Sequence, residues 1–590
     1  MATLHDPSLD EQYERTVRAD IEAFRRQAED YVAGRMTEDE FRAHRLRRGV
    51  YGQRQPKVHM VRTKIPGGQL LAGQMEQLAQ IADEFAGGKG HLTTRQNLQY
   101  HFIPTLRVAD LLDRLADVRL TTREACYNTV RNVTASPLAG LLASEVFDVR
   151  PYMRQVAFAF LHQELTDNLP RKFKIAFQGS PEEDMALGIH DLGFLARIQE
   201  GRRGFRVVAG GGLGPLPVES RVLDEFLPAE KVVARAEAVI RVFNRWGNRQ
   251  NRNKARLKFV IRERGWEWFR EKVEAEYADI LAHGGVTAPQ TVPQGFGGYL
   301  PEPPPLADGA SLPVIDAPVD GEFEHWRATN VRAQKQPGYV VVTARTNQGN
   351  LTSGQMRALA DLARRAGDGI LRLGIDQNLC LAFVAEKRLP QVYAVLRRHG
   401  LGDAGARTLA DPVTCPGAYS CNLALTKTMN LGEALHQTAR AYLAAHPDPA
   451  IERLQIHASG CPNACGQHWT GDFGFYGNAR KINGKEVPYY QMLLGGTTDD
   501  GTGATRFGLA VQAIPARLAP LAMTRVLDHY RAHRQEGERF RDYVLRFKVE
   551  TFRALTADLA KPAEIDPELY RDFGDEVDFS LELGRGECAA

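Results

Sequence analysis

Two stretches of the chain carry the same order of apolar and polar positions. In residues 73–98, GQMEQLAQIADEFAGGKGHLTTRQNL, apolar side chains fall at Met75, Leu78, Ile81, Ala82 and Phe85. That spacing predicts a helix that buries one face. Glycines end the helical pattern, and residues 91–93 and 98–100 then read as short strands. Residues 354–379, GQMRALADLARRAGDGILRLGIDQNL, repeat the whole pattern at an offset of 281, with 11 identities in 26 positions and no gap. The offset persists downstream. Ile175, Gly179 and Pro181 meet Ile456, Gly460 and Pro462, and Asp191, Gly193 and Phe194 meet Asp472, Gly474 and Phe475. One offset kept across separated segments indicates duplication of a unit of more than a hundred residues, far too long a period for a solenoid. Two related halves about a pseudo-twofold axis follow.

Elsewhere the pattern predicts strands at KFKIAF (172–177), GFRVVAG (204–210) and KARLKFVIRE (254–263), and helices over 229–245 and 517–536. Helix and strand interleave in each copy, an α+β arrangement. Residues 1–50 alternate acidic and basic side chains and read as one or two solvated helices in an N-terminal extension. Proline and glycine crowd residues 284–325, which read as a linker. The expected organisation is therefore an extension (1–50), a first half-domain (51–125) with its larger partner (126–283), the linker, a second half-domain (326–403) with its partner (404–565), and a tail (566–590).

A chain of 590 residues accommodates several domains, and its formal charge of +3 lacks the basic excess of a nucleic-acid binder. No apolar run approaches a membrane span, and the N-terminus has no apolar signal core, so a cytoplasmic protein is expected. Seven cysteines in this length do not form a disulfide scaffold. Cys126, Cys380 and Cys588 are solitary. Cys415 and Cys421 form a C-x5-C, and Cys461 and Cys465 a C-x3-C.

Four such thiols can hold zinc or an iron–sulfur cluster. Neither pair has the tight C-x2-C knuckle common at structural zinc, and wider spacing suits a larger cubane. CPGAYSC followed by GCPNACG resembles the signature of the sirohaem-dependent sulfite and nitrite reductases, and the resemblance extends over roughly residues 50–550, duplication included. It implies an internally duplicated fold with ferredoxin-like half-domains and two sirohaem/cluster-binding domains. It further implies that Cys415, Cys421, Cys461 and Cys465 hold a 4Fe-4S cluster, with Cys465 also bridging to the sirohaem iron.

In the first half, HMVRTKIPGG resembles the family's segment with an active-site arginine, here Arg62. HLTTRQNLQYH resembles a sirohaem-contacting segment, which implicates Arg95, Gln99 and His101. TVRNVTASPLAG supplies Arg131, and NLPRKFK supplies Lys172 and Lys174. Cations suit a macrocycle with eight carboxylates and a small oxyanion substrate, and lysine can also supply protons. The duplicated positions diverge accordingly: Arg95, Lys172, Lys174 and Ser180 of the first copy become Asp376, Arg453, Gln455 and Cys461 of the second. That division predicts one site shared between the halves. The run VVAGGGLG (207–214) lacks the G-x-G-x-x-G spacing and is expected to let backbone approach the macrocycle.

The form R-K-x-K with Lys174 resembles the sulfite branch, whereas VRNVTASPLAG resembles the nitrite branch. Sulfite reduction is the expected activity and nitrite reduction the alternative. The tyrosine–cysteine crosslink of some sulfite reductases would fall near Val58 and Thr129, so none is expected. No flavin module is recognisable, so electrons are expected from a ferredoxin or a separate flavoprotein. The rival reading, a non-catalytic zinc-stabilised binding protein, accounts for the cysteines but not for the cations or the duplication.

Overall fold

The computed structural model describes residues 6–182, 185–302, 305–307, 312, 319–562 and 566–581. Cys588 lies outside them, as does part of the proline-rich stretch. The chain forms two compact units. The larger comprises Met1–Gly212, Ser220–Thr346 and Asn350–Ala404; the smaller comprises Leu213–Glu219, Asn347–Gly349 and Gly405–Ala590. Three five-stranded sheets belong to the larger unit and one to the smaller. Among the described residues no helix is long and apolar enough to cross a membrane.

The repeated pattern folds as expected. Helices Ala72–Phe85 and Ser353–Ala366 are followed by strands Lys89–Leu92 and Leu98–Pro104, and by Ile370–Leu373 and Leu379–Ala385. The two half-domain sheets exchange edge strands. Asn350–Thr352 of the second copy closes the first sheet against Lys89–Leu92, and Gln69–Leu71 of the first copy closes the second against Ile370–Leu373. The registers are related by the offset. Leu351 lies opposite Gly90, and Leu371 opposite Leu70.

The two repeated helices pack together. Met75, Leu78, Met356 and Leu359 on them are fully buried. Such side chains each contribute about 1.5–3 kcal/mol on burial. Arg364 pairs with Glu76 and Arg357 with Asp83 at the half-exposed margin of the contact, where an ion pair contributes only about 0–1 kcal/mol. Apolar contact therefore holds the helices, and the charges select the pairing.

The remaining sheets repeat each other in the same way. Three parallel strands, Thr134–Ala135, Ile175–Gln178 and Leu192–Gln199, continue into antiparallel Arg202–Ala209 and Arg221–Pro228. In the smaller unit Val413–Thr414, Ile456–Ser459 and Phe473–Ile482 continue into Lys485–Leu494 and Leu509–Pro515. Ile175 faces Leu192 as Ile456 faces Phe473. The Lys174 N–H donates to Asp191 at 2.9 Å, and the equivalent Gln455 N–H donates to Asp472 at 2.9 Å. Asp191 then gains Arg256 at 2.8 Å. Among the described residues no arginine pairs with Asp472, and burial pushes its carboxyl up to about 7.

Some elements differ from the sequence reading. KARLKFVIRE is a helix over Leu257–Arg264, not a strand. Its apolar run is short enough to satisfy either period, and the burial of Leu257, Lys258 and Val260 follows the helical one. The extension forms two helices, Pro7–Val32 and Glu38–Arg47, but it is not merely solvated. Tyr13, Val17, Ile21, Phe24 and Ala28 bury one stripe of the first helix. The proline-rich stretch packs against the body as well. Phe296 is buried against Tyr13 and Phe158, Gln294 N–H donates to Asp10, and helix Gly321–Asn330 begins inside it.

Candidate functional site

The larger unit gathers the cations. Strand Val58–Arg62 runs antiparallel to Leu98–Pro104 with Arg62 opposite Gln99, and His91 faces Gln99 from the other side. Opposed residues share a sheet face, so Arg62, Gln99 and His91 form one row. His101 lies beside His91, and burial first, with His91 and Arg62 adding to it, pushes its imidazole down to about 3. His101 is therefore neutral, and among the described residues its buried Nδ1 has no hydrogen-bond partner.

Arg62 and Arg131 converge on a turn rather than on a strand. Both donate to the Ala125 carbonyl, at 3.4 and 3.2 Å. Arg131 also donates to the Tyr127 carbonyl at 3.0 Å and to the Tyr51 hydroxyl at 3.3 Å. The Arg62 guanidinium lies over the Tyr51 ring at 5.5 Å and reaches the Cys126 sulfur at 3.7 Å.

The lysines are placed by alternation. Phe173 is wholly buried and bridges to Val130, so Lys172 and Lys174 on either side of it point away from that core. The Arg131 N–H donates to the Phe173 carbonyl at 2.9 Å, which ties the arginine to the lysine segment. Burial of the Lys174 ammonium, with Arg256, Arg95 and Lys172 adding repulsion, drives its pKa well below the ordinary 10.5. Arg95 donates to His190, to the Asn132 carbonyl and to Thr134. Burial, countered by Asp191 and reinforced by Arg131 and Arg256, lowers its guanidinium to about 9. The Ala186 carbonyl can only accept from His190 Nδ1, at 2.8 Å, so Nε2 is the acceptor for Arg95 and the imidazole is neutral. Lys258, pushed down to about 8 by burial and Arg256, adds another cation.

Arg95, Arg131, Arg256, Lys172 and Lys174 thus form one buried positive neighbourhood, in which Asp191 is already committed to Arg256. Concentrated cationic charge in a desolvated place fits an anion, whether carboxylates of a macrocycle or an oxyanion. The glycine run packs here. A Cβ on Gly211 would meet the Gly188 and His190 carbonyls at 2.5 and 2.7 Å, so glycine is required by the loop bearing His190.

Sequence reasoning identified Arg62, Arg95, Gln99, His101, Arg131, Lys172 and Lys174, and the fold brings them into one unit. It missed Tyr51, His190, Arg256 and Lys258. Arg256 and Lys258 were hidden inside the segment read as a strand. Asp191 had one available signal, its recurrence as Asp472.

The smaller unit holds the four thiols. Cys415 follows strand Val413–Thr414, and Cys461 and Cys465 follow Ile456–Ser459. Cys461 is buried, Cys415 half-buried, and Cys421 and Cys465 are exposed. Burial and the neighbouring Cys465 raise Cys415 to about 11, while the Gly460 N–H donates to its sulfur at 3.3 Å. Burial raises Cys461, with Cys465, Cys415 and Cys421 adding to it. The thiols are therefore mutual neighbours. Yet among the described residues no three His, Cys, Asp or Glu side chains gather tightly enough for a single ion. Four neighbouring thiols are a donor set that fits an iron–sulfur cluster. The same strand register sets Ser136 of the first copy against Cys415, and Ser180 against Cys461.

Residues 126–281 and 405–562 match the domain family described as nitrite and sulphite reductase 4Fe-4S domain. Residues 51–124 and 332–399 match the nitrite/sulfite reductase ferredoxin-like half domain. The ferredoxin–nitrite reductase of Synechococcus elongatus is 32% identical over 489 residues, 81% of this chain and 88% of that protein. The sulfite reductase [ferredoxin] of Mycobacterium tuberculosis is 29% identical over 502 residues, 84% of each chain. The solved structure of the M. tuberculosis NirA protein superposes with a TM-score of 0.73 at 28% identity, covering 88% of this chain and 92% of that one.

Proposed function

The chain belongs to the nitrite and sulphite reductase family, and from that premise we propose that it reduces sulfite to sulfide with electrons from an external ferredoxin. A separate flavoprotein would serve the same role. Cys415, Cys421, Cys461 and Cys465 would hold a 4Fe-4S cluster, and Arg95, Gln99, His101 and Cys465 would hold sirohaem. Bound together, these groups would relay to the substrate, in successive steps, the six electrons that the external donor supplies. The chain's own residues supply the rest. Arg62 and Arg131, both fixed on the Ala125 carbonyl, orient the oxyanion. Lys172 and Lys174 neutralise it and donate protons to each oxygen that departs as water.

The observation that carries this reading is Lys174. Its buried side chain lies in the field of Arg256, Arg95 and Lys172, a concentration of basic groups that suits sulfite, the more negative of the two substrates near neutral pH. Turnover of both anions with reduced methyl viologen tests it. We expect sulfite to have the higher kcat/KM, and Lys174→Asn to shift the ratio toward nitrite by about tenfold, the loss of one charge-assisted contact. A wild-type preference for nitrite of that size would overturn the assignment. Nitrite reduction is the second reading, favoured by the identity to the Synechococcus elongatus enzyme.

The depressed lysine also sets a pH dependence. A proton donor works only while protonated, so kcat should fall as pH rises through the Lys174 pKa, well below the ordinary 10.5. An alkaline limb that persists unchanged in Lys174→Asn would assign the proton to another group.

A further inference from the structure

Lys64 and Glu124 form an ion pair at 3.2 Å, with side chains 1% and 0% exposed. Neither is among the anion-binding cations, and burying such a pair costs more than an apolar pair of the same volume unless geometry uses it. The geometry here does. Glu124 stands at φ 61° and Tyr127 at φ 66°, in the left-handed region that non-glycine residues enter at a cost. Between them lies Ala125, whose carbonyl accepts from both Arg62 and Arg131.

Glu124 is held from several directions. One carboxylate oxygen takes Lys64, and the other takes the His162 N–H at 2.8 Å. Its own N–H donates to the Arg47 carbonyl at 2.8 Å, and the Thr129 hydroxyl donates to its carbonyl at 3.1 Å. Lys64 is anchored independently, since its N–H donates to the Thr121 carbonyl at 2.7 Å at the start of the same turn. The second copy lacks the device. The duplicated positions are Arg345 and Gly405, and Arg345 donates to the Ala404 carbonyl instead. The pair therefore belongs to the copy that carries the cations.

We propose that the buried Lys64–Glu124 pair is the positioning element of the anion site: it locks the left-handed turn at 124–127 and so holds Arg62 and Arg131 side by side on one carbonyl. The inference rests on the role given above to those two arginines. Neither Lys64 nor Glu124 touches the substrate. They act through where Ala125 stands.

The test uses the cofactor-loaded full-length protein. Glu124→Gln alone leaves a buried lysine unpaired and can fail to fold, so the informative variant is Lys64→Met with Glu124→Gln, which removes both charges. We expect it to fold and to keep the wild-type absorption spectrum and iron content. KM for sulfite should rise about tenfold, the cost of a displaced positioning group, with a smaller change in kcat. The same double substitution is then made on an Arg131→Met background. If the pair works through both arginines, only the share carried by Arg62 remains there, and its effect shrinks to well below tenfold. An unchanged KM in the folded, cofactor-replete double variant overturns the proposal, as does a full additional tenfold loss on the Arg131→Met background. If Arg131→Met itself leaves KM and kcat unaltered, the fault lies in the arginine assignment, which separates the two failures.

Discussion

A Cys465→Ser variant is expected to purify with depleted iron and acid-labile sulfide, a bleached visible spectrum, and sulfite turnover lowered by more than about a hundredfold. Loss of a partner outside the ligand shell already costs roughly 10–100-fold in metal affinity or activity, and Cys465 is assigned as a ligand and bridge. The physical reason is the donor atom. A thiol gives up its proton to iron readily, while a serine hydroxyl stays protonated at neutral pH and offers a hard oxygen to a soft cluster. The sulfurs are also electrostatic neighbours, since Cys465 acts on both Cys415 and Cys461. Cys380→Ser is the control. That cysteine is buried on strand Leu379–Ala385, in contact with the Thr343 hydroxyl, and its loss should leave iron content intact. A Cys465→Ser protein with a full iron complement and normal turnover would sink the assignment of the four thiols.

The second large effect concerns Arg131. Its guanidinium spends donors on the Ala125 and Tyr127 carbonyls and the Tyr51 hydroxyl, so its plane is fixed before substrate arrives. A donor held in advance contributes most where charge develops, and removing one costs about 100–1,000-fold in kcat. Arg131→Met should therefore lower kcat/KM for sulfite by that order. Arg131→Lys is the sharper probe. It keeps the charge but lacks the planar fork that reaches three acceptors, so an intermediate loss is expected, weighted toward KM. Equal activity of Arg131→Lys and wild type would show that charge alone matters and that the fixed plane does not.

The fold was legible wherever periodicity and duplication agreed. Met75, Leu78, Ile81 and Phe85 specified a helix, and the offset of 281 specified its twin. KARLKFVIRE was misread because a short apolar run fits either period, and only its packing decides. The misreading concealed two cations, because Arg256 gains meaning only from the buried Asp191 it meets across 65 residues of sequence. Tyr51 carried no signal at all. Its contribution is a hydroxyl and a ring face beneath two arginines, and nothing local to VYG announces either. The left-handed turn at Glu124 and Tyr127 was equally silent, because neither residue type is favoured there. Cysteine spacing and clustered basic segments, by contrast, were strong in the sequence because the chemistry itself restricts which residue types can serve.

The exchanged edge strands record an ancestry. Pairing Leu351 with Gly90 and Leu371 with Leu70 is the pattern produced when two identical subunits swap strands about a twofold axis, here written on one chain. The helix contact shows what fusion then permitted. In a symmetric dimer of the first copy, Glu76 would face Asp83, acid against acid; on the fused chain both acids face arginines, Arg364 and Arg357. Becoming a single polypeptide thus released the interface from having to complement itself. An isolated first half would now meet repulsion from its own copy along that helix, and attraction only from its sequel.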